Sequence, residues 1–123
     1  MNSATPEAVA QRQLDAYNAR DIRRFIENWA PDAQYFEHPD RLLASGREAI
    51  RVRHIERFAE PNLHGKLIKR MAVGNKVVDQ ETVTRMFPEG TGQIEVIAIY
   101  EIDNGLIAKA WFIMGPRILD KDA

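Results

Sequence analysis

The chain has no cysteine. That removes disulfides, thiolate nucleophiles and zinc–thiolate centres at once. It also lacks an excess of either charge: 17 Lys and Arg against 18 Asp and Glu leave a formal net charge of −1. There is no positive field to hold nucleic acid, so none is expected as a partner, and membrane-surface binding is disfavoured for the same reason. No apolar run approaches a membrane span. Glu7, Arg12, Asp15 and Arg20 stand where a signal peptide would be apolar, so a cytoplasmic protein is expected. Gly-rich phosphate loops, HxH and HExxH spacings are all missing, and the three histidines (His38, His54, His64) are scattered. No metal and no cofactor are expected.

What is present suits one small domain over residues 1–123, with 45% hydrophobic residues and room for a core. "TPEAVAQRQLDAYNARD" reads as a helix with Thr5 as N-cap and Pro6 at its first position. Val9, Ala10, Leu14, Ala16 and Tyr17 share its apolar arc, and Gln13 falls in the middle of that arc. Asp21 caps a second short helix, "DIRRFIENWA", with Ile22, Phe25, Ile26 and Trp29 as its buried stripe. "AQYFEHP" is a strand stopped by Pro39. After a loop, "GREAIRVRHIERFAEP" is a third helix, with Val52, Ile55, Phe58 and Ala59 as its core face.

The second half changes period. Strands are expected at "LHGKLIKRMAV", "VVDQETVTRMF", "QIEVIAIYEI" and "LIAKAWFIM", joined by "GNK", a breaker-rich "PEGTG" loop and a "DNG" hairpin. Helices first and antiparallel strands last make an α+β fold. The last two strands are apolar on both sides. Ile94, Val96, Ala98 and Tyr100 oppose Ile97 and Ile99, while Ala110, Phe112 and Met114 oppose Trp111 and Ile113. Antiparallel sheets usually leave one face polar. A homodimer through the outer sheet face is therefore expected, with a covering loop as the alternative.

The ordered set "YNARD", "WAPDAQYFEHP", "GREAI" and "IAIYEIDNGLIAKAWFI" resembles the nuclear transport factor 2-like superfamily, in its SnoaL-like and ketosteroid isomerase branch. The resemblance spans roughly residues 5 to 115. It implies a cone-shaped α+β barrel, with three N-terminal helices packed in a curved, mainly antiparallel sheet around an apolar cavity. It also implies a small hydrophobic, carbonyl-bearing ligand and isomerase- or cyclase-type proton transfer. The isomerase pattern needs a carboxylate base with an oxyanion hole of tyrosine and protonated aspartate. Carried onto this chain, those positions fall on His38, Gln13 and Ala98. All three have changed, so a ketosteroid isomerase of the known kind is not expected.

His38 is the catalytic candidate, because an imidazole suits proton transfer at neutral pH. Its neighbour Glu37 points to the other face of the strand, and Asp40 lies beyond the proline. The alternative is a strand-end histidine bonded to backbone. His54, at the edge of the third helix's apolar arc, is a second candidate opposite His38, with Arg51 in the same arc. Gln13 and Tyr17 face inward from helix one. Trp29, Phe36, Tyr100, Phe112 and Met114 are expected to wall the pocket. Alignment with the isomerase pattern turns Val78, Gln80, Thr82, Thr84 and Met86 inward, making Gln80 a polar pocket residue and leaving Asp79, Glu81 and Arg85 outside. A ligand-binding module without turnover and a dimeric adaptor with a filled cone fit the same residues.

Overall fold

Thr5 caps the first helix as its place in the sequence predicts. Its Oγ1 accepts the Ala8 N–H at 3.1 Å, and Pro6 opens the helix. The computed structural model describes residues 5–122. Its helices are α1 (Pro6–Ala19), α2 (Ile22–Ile26) and α3 (Arg47–Arg57). Its strands are β1 (Trp29–Glu37), β2 (Arg41–Ser45), β3 (His64–Val73), β4 (Lys76–Phe87), β5 (Gly90–Asp103) and β6 (Leu106–Leu119). None of these helices is long and apolar enough to cross a membrane.

The six strands form one sheet in the order β2-β1-β6-β5-β4-β3. β1 runs parallel to β6, and every other neighbouring pair is antiparallel. The outer strands β2 and β3 do not meet, so the sheet stays open and the helices fill its concave side. Phe25, Trp29, Ile50, Tyr100 and Ile107 are the large side chains of that packed interior. This is the α+β cone that the sequence led us to expect.

Several elements differ from the sequence reading. α2 ends at Ile26, and Trp29, expected on that helix, opens β1. Pro31 is accommodated within β1 because pairing with β6 is interrupted between Trp29 and Gln34. A strand, β2, replaces the loop expected before α3; five residues are too few to show a period. Of "PEGTG", only Pro88 and Glu89 form the turn. Gly92 pairs with Leu119, and a Cβ there would meet the Ile118 carbonyl at 2.5 Å. The "DNG" hairpin is as expected, with Asn104 and Gly105 at φ of 52° and 76°.

Two faces are turned the other way round. Val52 and Ile55, expected in the core, are 53% and 46% exposed, whereas Ile50 and His54 are buried. On β4 the residues facing inward are Val77, Asp79, Glu81, Val83 and Phe87, not the Val78–Gln80–Thr82 set. Register explains the second case. Val77, Asp79, Glu81 and Val83 pair with Tyr100, Ala98, Val96 and Ile94, the inward residues of β5.

Candidate functional site

Between α1, α3 and the concave face of the sheet lies a cavity of about 90 Å³. Val83, Ile94, Val96 and Met114 form its aliphatic wall, and Tyr17, Tyr35, Tyr100 and Phe112 its aromatic one. Its polar groups are Gln13 on α1, Arg53, His54 and Arg57 on α3, and Glu81 and Arg85 on β4. An apolar chamber with a few convergent polar groups is the usual form of a small-molecule site.

Glu81 is the chemically distinctive group. It is only 7% exposed, and its Oε1 lies over Gly65, where a Cβ would come within 3.2 Å of it. Burial, reinforced by the neighbouring Asp79 carboxylate and opposed by Arg70, pushes its pKa up to about 7. Arg70 acts on Glu81 through space, because its own hydrogen bonds go elsewhere. Its Nε and Nη2 bond the two Asp79 oxygens at 2.7 and 2.9 Å, and its Nη1 reaches Gln11 Oε1 at 2.8 Å. Asp79 is therefore paired, while Glu81 is left to exchange a proton near neutrality.

Tyr17, Tyr100 and His54, which line the same cavity, stay neutral over that range. Burial, with Arg57 opposing it, raises Tyr17 to about 12, so its hydroxyl remains a donor. Burial also holds Tyr100 well above its ordinary range, with the Glu81 and Asp79 charges adding to the effect; its hydroxyl donates to Gln13 Oε1 at 3.3 Å. His54 is 2% exposed, set among Phe25, Tyr35 and Phe58, and its Nδ1–H donates to the Ile50 carbonyl at 2.8 Å. Burial lowers it to about 4, and Arg57 and Arg53 add to that against the Ile50 bond. Its imidazole is thus neutral, with Nε2 left as an acceptor.

The structure brings Gln13, Tyr17, His54, Tyr100, Phe112 and Met114 together on the cavity wall. His54 is deeper than a boundary position, at the inner face of α3. Ala98 is buried beneath the wall without lining it, and Trp29 is packed in the core behind. Four of the expected residues lie elsewhere. His38 is exposed in the turn after β1, with its backbone N–H on the Phe112 carbonyl at 2.9 Å, and it does not line the cavity. Phe36 shares its strand parity and stacks on Trp111 of the outer face, with ring centroids 5.8 Å apart. Gln80, also outside, donates to Glu95 Oε2 at 3.0 Å. Arg51 forms an exposed pair with Glu48.

One cause underlies these corrections. The odd residues of β1, Ala33 and Tyr35, face inward, and Tyr35 packs on Phe112 at 4.5 Å. The isomerase pattern places His38 and the even residues of β4 inside, and Phe36 has the same parity as His38. A signal was present in the sequence: on β4 the two valines and the phenylalanine at 77, 83 and 87 share Glu81's parity. Similarly, Ile50, Arg53, His54, Arg57 and Phe58 stand at the i, i+3, i+4, i+7, i+8 spacing of one helical stripe. Its polar members Arg53, His54 and Arg57 line the cavity.

An open, mainly antiparallel sheet curled around three helices, with a chamber between them, defines the cone-shaped class. Residues 10–110 match the SnoaL-like domain family, and the chain belongs to that family. Its solved neighbours agree in fold. An uncharacterised protein of cystatin fold from Novosphingobium aromaticivorans superposes with a TM-score of 0.83 at 24% identity, over 90% of this chain and 99% of that one. A protein provisionally described as a polyketide cyclase, from Sinorhizobium meliloti, gives 0.72 at 21% identity, over 85% and 93%. Another provisionally described as a ketosteroid isomerase, from Kribbella flavida, gives 0.77 at 18% identity, over 90% and 78%. No curated protein matches the chain in sequence.

Proposed function

We propose that the chain binds a small hydrophobic, carbonyl-bearing molecule in this cavity and moves a proton α to the carbonyl, with Glu81 as the acid–base group. One observation carries the reading: a buried carboxyl faces an aromatic-walled cavity and titrates at about 7. A base poised at working pH is what reversible carbon–proton transfer requires. As Glu81 takes the proton, negative charge develops on the carbonyl oxygen. Tyr17, neutral to about 12, and the Gln13 amide supply donors for it. The arrangement resembles isomerase chemistry in its parts but takes the base from β4 instead of the end of β1. The descriptions of the Sinorhizobium and Kribbella neighbours lie in the same class of reaction.

Deuterium exchange at the α-carbons of 2-pentanone in D₂O tests the reading. Wild-type protein should accelerate exchange, with a rate that rises through pH 7. Glu81→Gln should lower it by about 10²-fold or more, and His38→Ala should leave it unchanged. An unchanged rate in Glu81→Gln would overturn the assignment, and a wild type that binds without exchange would make the chain a binding module.

The proposal includes a second copy of the chain against the outer sheet face. Phe36, Val78, Ile97, Ile99, Trp111 and Ile113 support it, an apolar set on the side away from the helices.

A further inference from the structure

Three arginines, Arg53, Arg57 and Arg85, line the cavity and also the shallow vestibule outside it, and they differ in what they are bonded to. Arg85 is committed: its Nε and Nη2 bond the two Glu60 oxygens at 3.2 and 2.6 Å. Burial alone would raise the pKa of Glu60. Arg85, the Met86 N–H and Arg57 outweigh burial and hold it below its ordinary value, so that pair is ionised. Arg57 lies 3.9 Å from Glu60 and interacts with the Tyr17 hydroxyl.

Arg53 has no such partner. Among the described residues no carboxylate comes within ion-pair distance of it, and its Nε is buried without a hydrogen bond. Its guanidinium rests 5.3 Å from the centre of the Tyr35 ring. That contact holds the cation but satisfies none of its N–H donors in the ring plane. A half-buried guanidinium with unused donors at the mouth of an apolar chamber is built to take a planar anion, with two parallel N–H···O bonds to a carboxylate. The vestibule acids, Glu56 and Glu60, are fewer than its three cations, so the mouth is net positive while the floor holds a carboxyl that titrates near 7.

Building on the proton-transfer reading, we infer that the ligand is an oxo acid. Its carbonyl end enters the chamber toward Glu81, and its carboxylate stays at the mouth on Arg53. The Tyr35 ring beside it limits where the guanidinium sits and so where the acid's carboxylate is held. Neutral ketones of the same length lack the second anchor and bind more weakly.

The test compares levulinate with 2-pentanone, two slim ketones that differ chiefly in the terminal carboxylate, by ligand-observed NMR titration at low salt. Levulinate should bind wild-type protein at least tenfold more tightly, and the preference should shrink as salt is added. Arg53→Met should abolish the preference and Arg53→Lys should restore part of it. Glu81→Gln should keep it in full, since the carboxylate is anchored by Arg53 and not by Glu81. Equal affinity for the two ketones, failure of both to bind, or a preference that survives in Arg53→Met overturns the inference. Exchange measured on the same samples reports on the other reading: a tenfold preference with no α-proton exchange upholds the anion anchor and defeats the proton transfer.

Discussion

Replacing Glu81 by glutamine should change how the protein's stability depends on pH. The folded carboxyl titrates at about 7 against an ordinary 4.5, because burial and Asp79 disfavour its charge. Between those values the folded state binds a proton that the unfolded chain has released, so stability falls as pH rises through the interval. At about 1.4 kcal/mol per pH unit of displacement, the loss builds up from pH 4.5 and reaches about 3–4 kcal/mol above pH 7. His54 works in the opposite direction. Its imidazole titrates at about 4 in the fold and near 6.5 unfolded, so it withdraws stability as pH falls below 6.5. The wild-type profile mixes the two effects, and the difference between wild type and Glu81→Gln isolates the first. Urea unfolding at pH 5 and pH 9 should show the variant gaining about 2–3 kcal/mol relative to wild type across that range, or about 10 °C in Tm. A difference flat to within about 0.5 kcal/mol would refute both the buried placement of Glu81 and the chemistry built on it.

Three further outcomes follow from the same electrostatics and from the sheet. Asp79→Ala leaves Arg70 without its partner inside the cone and should cost about 3–5 kcal/mol in urea unfolding. Asp79→Asn, which keeps a hydrogen-bonding group, should lower the midpoint of the exchange rate against pH, because Asp79 raises the Glu81 pKa; a midpoint unmoved by the substitution would remove Asp79 from the site. Light scattering should give the mass of a dimer, and Trp111→Glu on the outer face should convert it to monomer while cavity binding of levulinate persists. A monomeric wild type would end the dimer proposal.

Much of the architecture was legible from local chemistry. The Thr5–Pro6 start of α1, the Asp21 cap, the "DNG" turn and the two-sided β5 and β6 each depend on residues close together in sequence, where propensity and period speak directly. The pocket residues on α1, β5 and β6 followed from the apolar arc of α1 and from the aromatic Tyr100 and Phe112, which share one side of the terminal hairpin. His38 and Glu81 show where that reasoning stops. The strand that carries Glu81 and the one that leads into His38 alternate residues of mixed polarity, so either parity gives a plausible core, and a one-residue difference exchanges all inward and outward groups.

By itself the sequence determined the class of fold, the absence of thiol chemistry, and the presence of a polar residue, Gln13, inside an apolar arc. Only the tertiary structure decided that Glu81 looks into the cavity and His38 looks out to solvent. The reason is that β4 takes its facing from its register with β5 and β3, and β1 from its register with the distant β6, and neither register is written in the strand's own alternation. It is also burial, a property of the assembled cone, that moves Glu81 to about 7 and His54 to about 4. A carboxylate becomes a base for neutral pH only once three helices and a sheet have taken the water away from it.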